Sequence, residues 1–363
     1  MCANGGGGHA GILVAVTASA SIVRVSTPAD AGALTALLAG AFEVSTAAPF
    51  LDASLMRWKY WDTREDWEEP RSLVMEKDGR LAAHVGLWPL TWRRDGVVLR
   101  GVHMIDWAAS REAPGAGVAL LQRVVRQFDF VFSIGGSDIT RKVLPSFGFK
   151  VAGEAWRAAR PLHPVTQALT HQQRSWKLLP RLGRNLVWAR FPAPAIPAGW
   201  RAAPLTQSAQ LAFPCGDGPF GHRPLGFLEY LRRCPAASIE SYGIANPAGG
   251  VAGCFTLCTV QRQARIAGVW LREPSAEHLR IAYQLARREA LAGGGEAAAA
   301  ELLASGSDEA SREAARLAGF HKFAGTPVYL YDKPGRLSGA HLQFQLADND
   351  IMFLTDGHPN YHT

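Results

Sequence analysis

The run Arg111-Glu112-Ala113-Pro114-Gly115-Ala116-Gly117 joins an apolar strand pattern, Val97–Ala109, to a helical one. Small side chains at Gly115, Ala116 and Gly117 let backbone N–H groups at a helix start come close to a diphosphate, whose charge the helix dipole favours. Arg111 or Arg123 would neutralise phosphate charge. A plain strand-to-helix turn that needs small residues is the alternative reading of the same run. Upstream on the strand lie two titratable groups, His103 and Asp106; downstream, Ser133 and Ser137 offer hydroxyls able to relay a proton.

Other chemistries lack their residues. Gly135-Gly136-Ser137-Asp138 misses the second spaced glycine of a nucleophile elbow, and no phosphate-binding P-loop or H-E-x-x-H helix occurs. His358 and His362 lie in a Pro/Asn/Gly-containing end and read as tail, and Asp348-Asn349-Asp350 reads as a turn or cap, so no metal is expected. The cysteines, Cys2, Cys215, Cys234, Cys254 and Cys258, are odd in number with no C-x-x-C pair. Strand alternation puts Cys254 and Cys258 on one face, and free thiols in a reducing, cytoplasmic compartment are expected.

The elements that must position these groups come in two rounds. The first has a strand Ile22–Ser26, a helix opened by Pro28-Ala29-Asp30, and an aromatic helix Leu51–Trp61. A meander Ser72–Glu76, Leu81–Trp92 and Val97–Ala109 follows, turned at Asp78-Gly79 and Asp95-Gly96. The loop then opens a helix with Val118, Leu121, Val125 and Phe128 inward, followed by a strand Phe130–Ile134, a helix Ser137–Phe147 and a strand Lys150–Ala159. The second round runs Trp200–Leu205, Gly226–Arg232, Ser238–Ala245, Val251–Val260, Ala264–Leu271, a long helix Ala276–Ala292, then Ala299–Ala304, Ser307–Ala318 and Pro327–Tyr331. Thr140-Arg141 before Gly148-Phe149 has the spacing of Ser311-Arg312 before Gly319-Phe320, and Arg111-Glu112 echoes Arg272-Glu273. A duplicated domain is the economical explanation. Residues 1–20 read as a disordered extension and 21–160 as the first domain. Residues 161–198 form a connector with a helix Gln172–Ala189, packed across both halves; 199–332 form the second domain and 333–363 an extra strand or strap.

This order resembles the N-acetyltransferase (GNAT) superfamily of acyl-CoA-dependent acyltransferases. The resemblance is carried by Val23-Arg24-Val25 through Asp30, by Asp106-Trp107-Ala108-Ala109, by the loop Arg111–Gly117, and by Ser137-Asp138 with Gly148-Phe149. The aromatic helix Met56-Arg57-Trp58-Lys59-Tyr60 and the Asp-rich end are similar to tandem-domain members from bacterial cell-envelope contexts. The resemblance implies an α/β (α+β) fold of two tandem GNAT-like domains, each a mixed, mostly antiparallel sheet flanked by helices. It implies acetyl-CoA or another acyl-CoA as co-substrate, with the pantetheine arm beside Trp107, Ala108 and Ala109 and the diphosphate at Arg111, Gly115, Ala116, Gly117 and Val118. It further implies transfer to the amine of a small molecule or amino sugar, with Asp106 as base and Ser137 as proton relay. Two positions depart from the family: Glu112 stands where Arg or Gln is usual, and Leu144 where a Tyr often serves as acid. The second copy, Arg272–His278, has no glycine, so one site per chain is expected, on the first domain. A catalytically silent tandem fold that serves as a binding or partner protein is the alternative.

Length and composition agree with a globular chain of two domains: 363 residues, 48% hydrophobic. No apolar run is long enough for a membrane-spanning helix, and the first residues lack the basic start of a signal peptide. The excess of 38 Lys+Arg over 31 Asp+Glu forms no basic stripe, so an anionic cofactor suits it and no nucleic acid is expected. A monomer or homodimer is expected.

Overall fold

The Asp78-Gly79 pair holds consecutive residues at φ of 52° and 74°, the geometry of a two-residue hairpin turn. It joins β2 (Ser72–Lys77) to β3 (Arg80–Arg94), which pairs along its length with β4 (Val97–Ala109). The computed structural model describes residues 21–94, 97–171, 175–205, 218–222, 225–293, 298–333, 335–337 and 342–363. The Asp95-Gly96 turn, the extension 1–20, Cys2 and Cys215 therefore lie outside the described residues.

β1 (Ser21–Val25) edges the sheet beside β2. Arg24 reaches from it to both carboxylate oxygens of Asp30 at 2.8 Å, while Asp30 and Thr27 form a capping box before α1 (Ala31–Phe42). Asp52 caps the aromatic helix α2 (Ala53–Tyr60) by accepting from the N–H groups of Ser54 and Leu55. Then come α3 (Ala116–Gln127), β5 (Phe130–Ile134), α4 (Asp138–Val143) and β6 (Lys150–Pro161). The connector carries α5 (Pro164–Leu169) and α6 (Leu178–Ala189) in place of the one helix expected over 172–189. Pro164 and Pro180 each sit in a first helical turn, where a missing N–H costs nothing. The second half supplies β7 (Arg201–Pro204), β8 (Gly218–His222), α7 (Leu225–Arg232), β9 (Ser238–Ala245), β10 (Val251–Val260) and β11 (Gln263–Leu271). It ends with α8 (Ala276–Ala292), β12 (Glu301–Gly306), α9 (Glu309–Leu317) and β13 (His321–Asp332).

All strands join one 13-stranded sheet in the order β1-β2-β3-β4-β5-β13-β6-β12-β11-β10-β9-β7, with β8 beside β3. Neither half is closed by its own last strand: β13 completes the first beside β5, and β6 completes the second beside β12. Pulling the halves apart would break ladder bonds as well as the core.

One face of this sheet is shared. There α1, α2, α7 and residues 342–363 bury a common core in which Trp58 stacks on Tyr230 (4.7 Å, 7°) and meets Phe353 edge-on at 4.9 Å. Cys254 and Cys258 lie buried in this core, neither in a disulfide. The opposite face is split between α3 over the first half and α8 with α9 over the second. Leu120, Leu121, Val124 and Val125 form the buried stripe of α3, with Val118 half-buried. The strap 342–363 carries two short 3-10 turns, Leu346–Asp348 and Asp350–Met352, in which Asp348 caps Gln345 and Asn349 caps Ile351.

Candidate active site

Strands β4 and β5 run side by side for three rungs only, ending at His103 and Phe132, and then diverge. Three local features open this fork. The imidazole of His103, stacked on Phe132 at 4.8 Å, accepts the N–H of Ile134 that the next rung would use. Gly135 and Gly136, at φ of 76° and 93°, turn β5 away, and Gly135 donates to Pro327 of β13. On β4 a bulge sets Asp106 and Trp107 opposite the single residue Val85, with Asp106 at φ 47°. Beyond the fork, Ala108 and Ala109 pair with β3 on one edge, and among the described residues no strand pairs with the other edge, which borders the slot between the diverging strands.

The slot leads to the start of α3. Its N-cap is Gly115 at φ 85°, which contributes no capping side chain, and among the described residues no carbonyl takes the N–H of Gly117 or Val118. These donors, small residues and the helix dipole fit a diphosphate. Trp107 braces the turn by donating its indole N–H to the Gly117 carbonyl at 3.0 Å. Arg111 is highly exposed and paired with Glu43 at 2.5 Å, while Glu112 is exposed without an ion pair among the described residues. Arg123, also exposed, lies on α3.

Asp106 is no free carboxylate. Its Oδ2 takes bonds from the Lys59 ammonium (2.5 Å) and the Tyr60 hydroxyl (2.5 Å), both on α2. Its backbone carbonyl accepts from Nδ1 of His84 at 2.9 Å, so Nε2 of that ring accepts from Ser72. Ser72 in turn accepts from Ser26, and Ser26 from the Trp61 indole. Burial alone would raise the Asp106 carboxyl, but Lys59 and the two hydrogen bonds outweigh it and hold it below the ordinary carboxylate range. Burial pushes His84 down to about 4 and His103 to about 3, so both rings are neutral near pH 7. Asp350, from the strap, responds oppositely: burial first, and then the charge of Asp106, push it up to about 7. Asp106 and Asp350, which both feel the Lys59 charge, thus have their proton affinities driven apart, as in an acid–base pair.

That displacement has a stability consequence. A carboxyl raised in the folded state penalises folding increasingly as pH climbs from the unfolded value of 3.8 to about 7, and constantly above that. Asp350→Asn is therefore expected to be nearly neutral near pH 4 and to stabilise the protein by about 2–4 kcal/mol at pH 8. Urea denaturation at several pH values checks it; a gain independent of pH would show that the carboxyl is not raised.

Ser137 caps α4 at the far end of the turn after β5, its hydroxyl accepting from Thr140 N at 3.2 Å. Leu144 is wholly buried in the core under α3, so no phenol stands at that position. Under the strap a cavity of 210 Å³ opens between Gly135 and Gly136 of the fork, Thr326 of β13, Arg157 of β6 and Ile351 of the strap. The Arg157 guanidinium, half-buried, has no hydrogen-bond or ion-pair partner among the described residues.

The second half repeats the fork and fills it. β11 and β12 pair for three rungs and part after Arg265 and Leu303, with a bulge at Ala267. Past the bulge the strap inserts Gln345, whose side-chain amide accepts from Val269 N (2.5 Å) and donates to Val269 O (3.1 Å), as a neighbouring strand would. At the matching helix start Ser275 caps α8 by accepting from His278 N, and Glu277 pairs with Arg280 at 2.5 Å. The donors left open on α3 are consumed or screened here.

Sequence reasoning reached Asp106, Trp107, Ala108, Ala109, Gly115, Ala116, Gly117 and Val118, which the structure gathers along one slot, with Ser137 beyond the turn that closes β5. It missed Lys59, Tyr60 and His84 as partners of Asp106, and read Asp350 only as part of a turn or cap. An ionisable Lys and Tyr within an otherwise aromatic, inward-facing helix were the available signal.

No family model matches this chain, and no curated protein does. Solved structures do match its fold. Yeast (Saccharomyces cerevisiae) N-myristoyltransferase with bound myristoyl-CoA aligns over 86% of this chain and 80% of its own at 11% identity, TM-score 0.54. A GCN5-related N-acetyltransferase from Anabaena variabilis aligns over 86% and 73% at 11% identity, TM-score 0.53. A tandem GNAT protein from the clavulanic acid biosynthesis pathway aligns over 86% and 98% at 13% identity, TM-score 0.52. At these identities the likeness is one of fold: the chain has the tandem GNAT architecture, a mixed, mostly antiparallel sheet flanked by helices.

Proposed function

We propose that the chain is a cytoplasmic acyl-CoA-dependent N-acyltransferase, by preference an acetyltransferase, that acts on a small amine or amino sugar by direct transfer. The observation that carries this reading is the contrast between the two forks. One keeps an open strand edge leading to an uncapped glycine helix start, and the other has both features closed by its own side chains. The fold matches of known acyltransferases support it.

In this reading Trp107–Ala109 line the pantetheine arm, while Gly115, Ala116, Gly117 and Val118 hold the diphosphate, with Arg111 or Arg123 swinging in from solvent. The Asp106–Asp350 pair takes the proton of the acceptor ammonium: Asp106 stays ionised beside Lys59, and Asp350 is poised to exchange a proton near neutral pH. Ser137 relays a proton to the departing thiolate. The acceptor enters the 210 Å³ cavity under the strap, where Arg157, without a partner among the described residues, suits an anionic substituent.

Calorimetric titration with acetyl-CoA is expected to give one site per chain, and saturating ligand is expected to raise the melting temperature by several degrees, since 100-fold excess over Kd adds about 2.7 kcal/mol. No binding would remove the acyl-CoA reading, and two sites would remove the assignment of the second fork as closed. Release of coenzyme A in the presence of an amine panel tests turnover.

A further inference from the structure

The connector carries exposed apolar side chains on its outer side. The inward side of α6 holds Asn185, which donates to Gln167 of α5 at 2.7 Å, with Leu178, Leu182 and Leu186 half-buried around it. On the opposite side Trp176, Leu179, Gly183 and Val187 follow one helical stripe and face solvent, with Trp176 at 76% and Leu179 at 74% exposure. On α5, Val165 and Leu169, one turn apart, are also exposed, at 56% and 69%. An amphipathic helix of a globular domain buries one apolar stripe; this pair of helices does so and presents a second one, which no described residue covers.

The charge around the stripe has one sign. Between Glu154 and Asp217 the sequence contains no Asp or Glu, while Lys177, Arg181, Arg184 and Arg190 flank the apolar positions. Lys177 and Arg190 are exposed, and Arg184 lies over the Trp188 ring at 4.4 Å. Aliphatic side chains such as Leu179 and Val187 cannot stack on bases, which speaks against a nucleic acid. A second copy of the same surface would bring like charges together. An apolar centre with an indole, ringed by cations, matches the boundary between acyl chains and anionic headgroups.

We infer that α5 and α6 form a docking face for an anionic lipid bilayer, on whose surface the protein lies without crossing it. No helix among the described residues is long and apolar enough to span a membrane. The inference is independent of the acyl-transfer reading, since it uses none of the slot residues.

Sedimentation of the full chain with vesicles tests it. Binding is expected to mixed phosphatidylcholine–phosphatidylglycerol vesicles and to be at least about tenfold weaker to phosphatidylcholine alone, with strong weakening as salt rises. Trp176→Ser with Leu179→Ser is expected to reduce binding to the mixed vesicles by about tenfold or more, and Lys177→Gln with Arg190→Gln to reduce it comparably at low salt. All four positions are exposed, so melting temperature and acetyl-CoA binding should stay as in the parent. No binding to anionic vesicles, or binding that ignores the Trp176/Leu179 pair, overturns the proposal. So does a concentration-dependent dimer, seen by sedimentation velocity, that dissolves in the Trp176/Leu179 variant: the face would then belong to a second copy.

Discussion

Gly115→Asp is expected to abolish stabilisation by acetyl-CoA while leaving the ligand-free protein as stable as its parent. The two halves of that result come from different physics. Gly115 holds φ 85°, a left-handed backbone that Asn and Asp tolerate better than other residues with a side chain, and a Cβ built there meets no atom within 4 Å. Aspartate is moreover a favoured N-cap, and its charge suits the positive end of the helix, which offsets the lost freedom of glycine. Bound diphosphate reverses the balance. A carboxylate about 4 Å from a phosphate charge costs on the order of 4 kcal/mol at an effective dielectric constant near 20, so affinity should fall at least about 100-fold. Gly115→Asn is the control: it has the same shape and backbone demand without the charge, and should keep affinity within about tenfold of the parent. Calorimetry and thermal melts on both variants decide it. Equal binding by the Asp and Asn variants would mean that no diphosphate sits there and that the loop is only a tight turn.

Why this loop could be read from sequence, when its surroundings could not, has a physical reason. A glycine-rich run between a strand and a helix is a local signal, and so are the alternation of β4 and the Asp78-Gly79 turn; each depends on neighbours in the chain. The exchange of β6 and β13 depends on pairings between residues far apart in sequence, such as Trp156 with Gly325, which no local pattern encodes. The plug at Gln345 is of the same kind, since a glutamine in a tail looks solvated until it is found beside Val269. Periodicity also cannot tell inward from outward. The apolar composition of residues 161–198 leads to the expectation of a connector packed across both halves, and there Gln167 donates to Glu301 of β12 while Arg160 of β6 donates to the Phe191 carbonyl. Which residues of α6 turn inward is not legible: Asn185 is buried and Leu179 exposed. Lys59 shows the converse: a lysine reads as surface, yet its side chain is 0% exposed.

Lys59→Met is expected to destabilise the protein by about 3–5 kcal/mol, because it leaves the Asp106 carboxylate buried without its cation. Asp106 is only 8% exposed and has the Tyr60 hydroxyl and Asp350 for company. Tyr60 donates one bond, which cannot replace a full charge, and Asp350 repels. Asp106→Asn removes the anion instead and strands the ammonium in a site with no exposure, at a similar cost. The double variant removes both charges, and methionine retains much of the lysine stem's packing. It should therefore be more stable than the sum of the singles predicts, by at least about 1–3 kcal/mol of coupling. The pH dependence separates an ion pair from mere packing. In the parent, Lys59 holds the Asp106 carboxyl below its unfolded value of 3.8, so that contribution persists above this pH and is lost only as pH falls through the lowered value. Without Lys59 the same carboxyl rises through burial, so the deficit of Lys59→Met should grow from pH 5 to pH 8 and shrink on acidification. Urea melts of the parent, both singles and the double across this range measure it. Additive singles, or a deficit flat in pH, would show that Lys59 supports the β4 bulge by bulk alone and would take from Asp106 the fixed negative charge on which the proposed proton transfer with Asp350 depends.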